Sequence, residues 1–353
     1  MAWVSSKSAV ILLSSESRSN SFSSVLEDRT KCEILCIPGI RIPPIAKQLL
    51  TRPLLLCLGV VLPAFSFWSY AAFAQELAPR AYWPTPEGTN VLVVGYQYSG
   101  GDIVTDPALP IAGVESDINF AQVSYQRTLS LFGRTTNLQF NLPYTRSSTE
   151  GFVEGEFRSR DISALADARV RLSINLRGAA TMDAAGFQAL RAKPRTIVGA
   201  SLLVQAPTGD YEPDKLINAG TNRWAVKPAL GVIWPLRPNW LLEFELGAWF
   251  YGDNDEFLDG TRQQDPVLSS EFHFVKRIRP GFWASLDLNY YIGGRTTVDQ
   301  VEQADRLRNS RIGATVVFPI KGRQLIRVAI STGILTESGG DFESFSLNYG
   351  YAW

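Results

Sequence analysis

The sequence predicts an all-β protein, a transmembrane antiparallel up-and-down β-barrel of about twelve strands. Three observations lead to this fold. Apolar and polar side chains alternate with a period of two along successive segments of the chain. The connections between these segments are alternately short and long. The chain also ends on a strand with one aromatic face, which suits a closed barrel in lipid better than an exposed sheet edge.

The composition supports this class and argues against several others. The chain has 353 residues, and its mean hydropathy is −0.01, as expected when barrel strands average apolar and polar positions. One long apolar segment lies near the N-terminus, which is too few for an α-helical membrane protein. The cysteines all precede residue 58, and His273 is the one histidine, so we expect neither a metal nor a thiol site. No nucleotide-binding motif or N-terminal plug domain is evident, and we expect no cofactor.

The N-terminal region reads as an export signal. Residues 41–74 combine basic residues, an apolar core and Ala72-Phe73-Ala74, which predicts a signal peptide cleaved near Ala74. A transmembrane anchor is the alternative. Residues 1–40 form an irregular, Ser-rich extension, and we interpret them as a mis-assigned start. The expected mature chain, 75–353, is all barrel.

The expected mature chain is weakly acidic. Residues 1–74 carry seven of the 34 basic and four of the 34 acidic residues, so the remainder has a formal charge of about −3. This charge argues against nucleic acid as a partner.

The twelve predicted strands follow from the alternation in chain order. The second is expected to contain a bulge between Phe120 and Val123, where its alternation shifts. An Ala-rich connection at 177–192 has room for a short helix. The predicted strands are 88–99, 115–129, 134–145, 161–176, 193–206, 221–234, 239–251, 266–278, 281–292, 308–320, 324–336 and 342–353.

The connections indicate which end of the barrel each belongs to. Those after the second, sixth, eighth and tenth strands are two to four residues long, whereas most others are long and polar, including 100–114, 146–160, 252–265 and 293–307. Short turns at the end that holds both termini and long loops at the other end are typical of a barrel that crosses from periplasm to cell surface. A soluble β-sandwich gives no reason for this alternation.

The last strand resembles the closing strand of bacterial outer-membrane β-barrels. Phe345, Leu347, Tyr349, Tyr351 and Trp353 share one face, and small or uncharged residues occupy the other. In such barrels a C-terminal aromatic residue also serves as a signal to the outer-membrane assembly machinery. The resemblance therefore gives Trp353 that role and predicts the outer membrane of a Gram-negative bacterium as the location.

A second resemblance covers residues 80–353. Pro207-Thr208-Gly209-Asp210-Tyr211 after the fifth strand, a G-T-N-R-W segment at 220–224, and Asp167 within S-A-L-A-D-A-R resemble the family named for the meta-pathway of phenol degradation. This sequence departs from the family at Ala164 and Ala166, where glycines are usual. The resemblance implies an outer-membrane barrel and uptake of small aromatic or apolar compounds, with Asp167, Pro207, Thr208, Gly209 and Tyr211 as motif residues.

Charged and polar residues fall on the faces predicted to point inward. Both signs occur on neighbouring strands, which predicts a polar lumen that orients solutes; a salt-bridged interior that satisfies its own charges is the other interpretation. The candidate pore-lining residues are Arg169, Arg171, Arg223, Lys227, Glu243, Glu245, Glu271, His273, Asp287, Asn289 and Arg311.

The functional prediction is an outer-membrane channel, favoured as a monomer in the lipid bilayer, through which small solutes diffuse. An alternative is a barrel enzyme acting on lipid, with His273 near Glu271 and Ser269 or Ser285 as nucleophile. Another is a closed structural or adhesion barrel. The acidic stretch Asp253, Asp255, Glu256, Asp259 reads as a solvated loop rather than a Ca²⁺ site.

Overall fold

The structure is a computed structural model that describes residues 79–105 and 111–353. The predicted extension 1–40, the predicted signal peptide 41–74 and the three cysteines lie outside the described residues. The described residues belong to one compact unit.

The elements follow the chain almost entirely as antiparallel strands, as the period-two alternation predicts. Their bounds are β1 Asn90–Val104, β2 Ile111–Leu131, β3 Arg134–Val153, β4 Glu156–Leu165, β5 Arg169–Arg177, α1 Ala184–Ala192, β6 Ile197–Gln205, β7 Ala225–Arg237, β8 Trp240–Tyr251, β9 Asn254–Phe257, β10 Gly260–Gln264, β11 Val267–Arg279, β12 Phe282–Gly293, β13 Thr296–Val298, β14 Val301–Glu302, β15 Leu307–Pro319, β16 Gln324–Leu335 and β17 Gly339–Ala352.

The main sheet closes on itself into a twelve-position barrel. Each barrel strand pairs with its sequence neighbour, and β17 pairs with β1 to complete the ring. Two segments, β4 and β5, share one position because both pair with β3, one at each end. The predicted number and antiparallel order of barrel strands are confirmed. Closure leaves few unpaired backbone groups in the barrel wall, which is what a lipid environment requires.

The side-chain alternation places apolar residues on the outside of the barrel. On β17, Phe345, Leu347, Tyr349 and Tyr351 are exposed outward, while Asn348 on the other face is buried in the lumen. The same holds for β8, where Leu246 and Phe250 are exposed and the glutamates point inward. An exposed apolar band of this kind is the surface that a bilayer covers. The predicted closing face is confirmed.

The two ends of the barrel differ as predicted. The turn end holds the C-terminus, residues 79–89, the turns at 132–133, 238–239, 280–281 and 320–323, and the connection 178–196 with the helix α1. The other connections between neighbouring barrel strands lie at the loop end. The residues at Trp353 and Asn90 exchange two backbone hydrogen bonds of 3.0 Å, which seal the seam between the last and first strands.

Several predicted loops are in fact strand. Strand β1 continues to Val104, and β3 and β4 form a long hairpin with a tight turn at Glu154 and Gly155, so loops 100–114 and 146–160 are shorter than predicted. Polar residues occupy both faces there, so the alternation disappears although the pairing continues. The bulge predicted at 120–123 is wrong, since that pairing is regular; the irregularity lies between Ala112 and Glu115, beside Gly113 with φ of 59°.

A small second sheet lies at the loop end. Its strand order is β14-β13-β10-β9, formed within the two connections predicted as polar loops at 252–265 and 293–307. These two loops are therefore folded onto each other by backbone pairing between β10 and β13.

The predicted short helix is confirmed as α1 at the turn end. Asp183 caps it by accepting a 2.8 Å hydrogen bond from the Gly186 N–H, and Leu190 is buried against the barrel interior. Within the described part of the chain, no helix has the length and apolarity needed to span a membrane.

Candidate functional site in the barrel lumen

A chain of ion pairs crosses one side of the lumen. The Lys227 ammonium lies 3.0 Å from a carboxylate oxygen of Glu245 and 3.0 Å from one of Glu271. Arg171 pairs with the other oxygen of Glu245 at 2.5 Å. The strand register places Glu245 directly opposite Glu271, an arrangement that would be repulsive alone. Lys227, from the neighbouring strand β7, lies between the two carboxylates and compensates both.

The network continues onto three further strands. His273 Nδ1 lies 2.8 Å from Asp287, its direct cross-strand partner, and its Nε2 lies 3.8 Å from Glu271. The Thr315 hydroxyl donates a 2.7 Å hydrogen bond to Asp287. At the opposite end, Arg171 donates to Ser201 at 3.2 Å. We call Arg171, Lys227, Glu245, Glu271, His273 and Asp287 the charged belt; with Ser201 and Thr315 it joins seven consecutive barrel strands, from β5 to β15.

Apolar layers enclose the charged belt on both sides. Towards the turn end lie Ile233, Leu241 and Val275, and towards the loop end lie Trp249 and Tyr291, all 3 % exposed or less. The lumen on this side is therefore filled with side chains. Buried charges need partners in such a place, and the belt supplies them to one another. This arrangement agrees with the interpretation of a salt-bridged interior.

The other predicted lumen residues also point inward, and Glu243 and Asn289 lie directly across the strands from His273 and Glu271 of the belt. Arg169 donates to Gln205 at 3.0 Å, and Asn289 donates to the Tyr291 hydroxyl at 3.2 Å. Arg311 donates to the Phe342 carbonyl at 2.7 Å.

Arg223 lies at the loop end of the lumen, immediately before β7. Its guanidinium stacks 4.7 Å above the Tyr251 ring and donates to Gln264. Burial lowers the pKa of Arg223 to about 9, and the charge of Arg262 adds to this effect.

The opposite side of the lumen is lined differently. Strands β16, β17, β1, β2 and β3 turn mainly small or uncharged residues inward, and Arg327, opposite Asn348, is a charged exception. Several of the uncharged residues keep part of their surface free: Gln97 is exposed, and Gln122, Asn141, Ala329 and Ser346 are half-buried. We call these residues the uncharged side. It contrasts with the belt side, where nearly every inward residue is buried. The accessible space of the lumen therefore runs along the uncharged side.

A segment before β1 crosses the turn end of the barrel. The Arg80 N–H donates to Glu243 on β8 at 2.6 Å, the Tyr82 hydroxyl lies 3.0 Å from that of Ser201 on β6, and Thr85 pairs with Thr128 on β2 at 2.5 Å. Although no plug domain was predicted, residues 79–88 narrow this end. Sequence reasoning missed them because the segment shows no periodicity.

Two glycines make room for Tyr82. A Cβ at Gly199 would lie 2.3 Å from the Tyr82 ring, and one at Gly231 would lie 2.0 Å from it, so any side chain there would displace the ring. These glycines face the lumen from strand interiors, where glycine often marks a close approach by another part of the protein. Burial raises the pKa of the Tyr82 hydroxyl to about 12.

The motif residues meet at an interruption in the barrel wall. Residues 166–168 separate β4 from β5, and the buried Asp167 carboxylate accepts hydrogen bonds from the Gly209 N–H, the Thr221 N–H and hydroxyl, and Gln205, at 2.6–3.0 Å. The Thr208 hydroxyl accepts from the Ala168 N–H at 2.9 Å. Loop 206–224 is thereby attached to the wall where strand pairing stops.

The comparison with protein families decides the classification. The profile described as the MetA-pathway of phenol degradation matches residues 95–350. The chain belongs to this family. The match includes Asp167 and the Pro207–Tyr211 stretch. It also covers all barrel strands apart from the first five residues of β1 and the last two residues of β17. The predicted membership is confirmed.

A solved structure shows the same fold. The COG4313 outer membrane channel from Pseudomonas putida F1 superposes with a TM-score of 0.68 at 23 % identity, covering 79 % of this chain and 100 % of that one. The transport unit of the autotransporter AIDA-I from Escherichia coli gives a TM-score of 0.48 at 10 % identity, covering 80 % and 94 %. No curated protein matches the chain.

The residues of the predicted alternative sites do not form an acyl-transfer triad or a Ca²⁺ site. The hydroxyl of Ser285, one of the two candidate nucleophiles, is buried and has no hydrogen-bond partner among the described residues. His273 Nε2 faces Glu271, in the position where an acyl-transfer triad would place its nucleophile, and Ser269 donates instead to the Gly247 carbonyl at 3.3 Å. In the described residues, no three of the acidic residues or His273 come together as metal ligands. Asp253 accepts a hydrogen bond from Gln263, and Glu256 one from Asn222.

Tyr211 packs into the second sheet at the loop end. Its hydroxyl accepts a 2.8 Å hydrogen bond from Asn254 and donates to the Glu256 carbonyl at 3.2 Å. Burial raises the pKa of Tyr211. Pro207 starts the loop that Asp167 anchors. The five motif residues thus hold the loop end together, which places them away from the accessible uncharged side.

Proposed function

We propose that the protein is an outer-membrane channel through which small solutes diffuse along the uncharged side of the lumen. The contrast between the two sides of the lumen carries this proposal. The charged belt pairs its own charges between apolar layers and forms a wall. The uncharged side offers glutamine, asparagine and serine groups, which can contact a passing solute without holding it strongly.

The family description supports a narrower substrate class. A family described by phenol degradation suggests small aromatic compounds as solutes, and amide and hydroxyl groups beside the half-buried Phe120 suit a phenol, which has one polar and one apolar part. The channel works as a monomer after removal of a signal peptide near Ala74, in the outer membrane of a Gram-negative bacterium. It reaches that membrane through the outer-membrane assembly machinery.

Single-channel conductance tests the route. We would extract the protein from outer membranes in a neutral detergent, insert it into planar bilayers and compare Gln97→Lys with Val301→Lys. Both add one charge, but Gln97 faces the accessible lumen and Val301 lies exposed in β14. We expect discrete conductance steps, with the reversal potential shifted towards anions in Gln97→Lys alone.

Two outcomes would contradict the proposal. A folded, heat-modifiable barrel without conductance would refute an open route. Equal shifts in both variants would refute a route along the uncharged side. The rate of phenol uptake at low external phenol concentration, compared between cells with and without the protein, would then test the solute class.

A further inference from the structure

A basic, aromatic cavity lies at the turn end of the barrel. Its volume is about 540 Å³, and it is bounded by the crossing segment, α1 and the turns after β7 and β11 and open to solvent on one side. Four arginines and three aromatic residues line it, and no acidic residue does within the described part of the chain. These lining residues are Arg80, Arg191, Arg277, Arg279, Trp83, Trp283 and Phe282.

The guanidinium of Arg277 has unused hydrogen-bonding capacity at this cavity. Its Nη2 donates to the carbonyls of Arg191 at 2.7 Å and Pro238 at 2.9 Å, which fixes the side chain. Its Nε and Nη1 are buried and have no hydrogen-bond partner among the described residues. A buried N–H without an acceptor is destabilising, and more so when the group is charged. An oxyanion in the cavity would supply the missing acceptor.

Arg80 adds a second cation and an aromatic surface. Its guanidinium lies 4.1 Å from the centre of the Trp83 ring and 5.2 Å from that of Trp283. Burial lowers the pKa of Arg80 to about 10, Glu243 opposes this effect, and the charges of Arg277 and Arg191 reinforce it. Several cations thus share a confined space, where an anion would relieve their repulsion.

We propose that this cavity binds a small aromatic carboxylate, with its carboxylate at Arg277 and Arg80 and its ring against Trp83 and Trp283. The arginines select the oxyanion and the indole rings select a flat apolar body. The site rests on the proposed channel function, because a solute leaving the lumen at the turn end would pass it. It extends the solute class from neutral aromatic compounds to their acids.

Calorimetric titration of the detergent-solubilised protein with benzoate, benzamide and acetate tests both halves of the site. Benzamide keeps the ring without the charge, and acetate keeps the charge without the ring. We expect benzoate to bind at least about tenfold more tightly than either, and Arg277→Gln to weaken benzoate by about tenfold or more. Arg80→Gln, outside the strands, should act in the same direction. Arg158→Gln, in the exposed β4 pair with Glu156, serves as the control and should leave binding unchanged.

Several results would overturn the site. Equal binding of benzoate and benzamide removes the oxyanion requirement, and equal binding of benzoate and acetate removes the aromatic one. If Arg158→Gln weakens benzoate as much as Arg277→Gln, the effect is not local. Benzoate binding should be compared in nanodiscs of anionic phosphatidylglycerol and in nanodiscs of uncharged phosphatidylcholine. Loss of binding in phosphatidylglycerol alone would mean that a lipid phosphate occupies the cavity, which would assign the cavity to a lipid headgroup instead. Conductance without benzoate binding refutes this site alone, and benzoate binding without conductance refutes the channel alone.

Discussion

Removal of the Lys227 ammonium is the sharpest test of the charged belt. Lys227→Met keeps a side chain of similar length but deletes the cation between Glu245 and Glu271. Glu245 would keep Arg171 at 2.5 Å, whereas the ion pair left to Glu271 among the described residues is the one with the His273 nitrogen at 3.8 Å. The Glu271 side chain is 5 % exposed, so water cannot replace the lost partner.

The expected loss follows from this burial. Removing one member of a buried ion pair leaves an uncompensated charge and costs about 3–5 kcal/mol. Glu271→Gln, added to Lys227→Met, deletes the stranded charge and keeps its shape. We therefore expect the double variant to recover most of the stability, to within about 1–2 kcal/mol of the wild type.

Equilibrium unfolding in urea with phospholipid vesicles, followed by tryptophan fluorescence, would give the free energies of unfolding. Lys321→Met, at the exposed turn 320–323, is the matched control and should change stability by less than about 0.5 kcal/mol. The reasoning fails if Lys227→Met costs less than about 1 kcal/mol, or if the double variant is no more stable than the single one.

Three further predictions concern other parts of the barrel. Gly231→Ala should displace the Tyr82 ring from the lumen wall, because the new Cβ would lie 2.0 Å from the ring. Single-channel conductance should therefore rise. Unchanged conductance would show that the crossing segment does not limit the flow of ions through the lumen. Asp167→Ala should destabilise the protein by about 3 kcal/mol and expose loop 206–224 to protease, since four hydrogen bonds to one carboxylate are lost; a loop that stays resistant would contradict its anchoring role. Trp353→Ala, which keeps the two backbone hydrogen bonds to Asn90, should reduce the heat-modifiable fraction in cells far more than the stability of the folded barrel, where the Trp353 ring packs against the rings of Tyr125 and Tyr351. Equal losses would make Trp353 structural rather than an assembly signal.

The barrel was predictable where lipid and lumen impose opposite demands on alternate residues. The outward Leu246 and inward Glu245 of β8 illustrate this, because period two alone assigns each to its face. The prediction failed where both faces meet water. Along 146–153 the outward residues Arg146, Ser148 and Glu150 are as polar as their inward neighbours, so the strand continues without any hydrophobic signal.

The candidate site was predictable as a set of residues but not as an arrangement. Alternation placed Lys227, Glu245 and Glu271 in the lumen, yet their pairing depends on the register between separate strands. The crossing segment has no periodic signal either. The sequence feature connected with it is the pair of strand glycines, Gly199 and Gly231. The reason for these glycines is evident only from the structure, in which the Tyr82 ring packs against them.

The crossing segment and the charged belt are connected, and this connection limits how the turn end can open. The Arg80 backbone N–H donates to the Glu243 carboxylate, and the Tyr82 hydroxyl contacts that of Ser201. The Arg171 guanidinium lies 5.6 Å from the centre of the Tyr82 ring. Withdrawal of the whole segment would deprive the buried Glu243 carboxylate of its hydrogen-bond donor and would expose the Tyr82 ring to water. Both changes cost free energy. On the proposed route along the uncharged side, solute passes the portion near Thr85, which is held to β2 by a hydroxyl pair at 2.5 Å and backbone hydrogen bonds. Local movement there requires fewer buried contacts to break than expulsion of Tyr82 does. The structure therefore favours opening at the β2 side of the segment, with Tyr82 remaining in place against the wall.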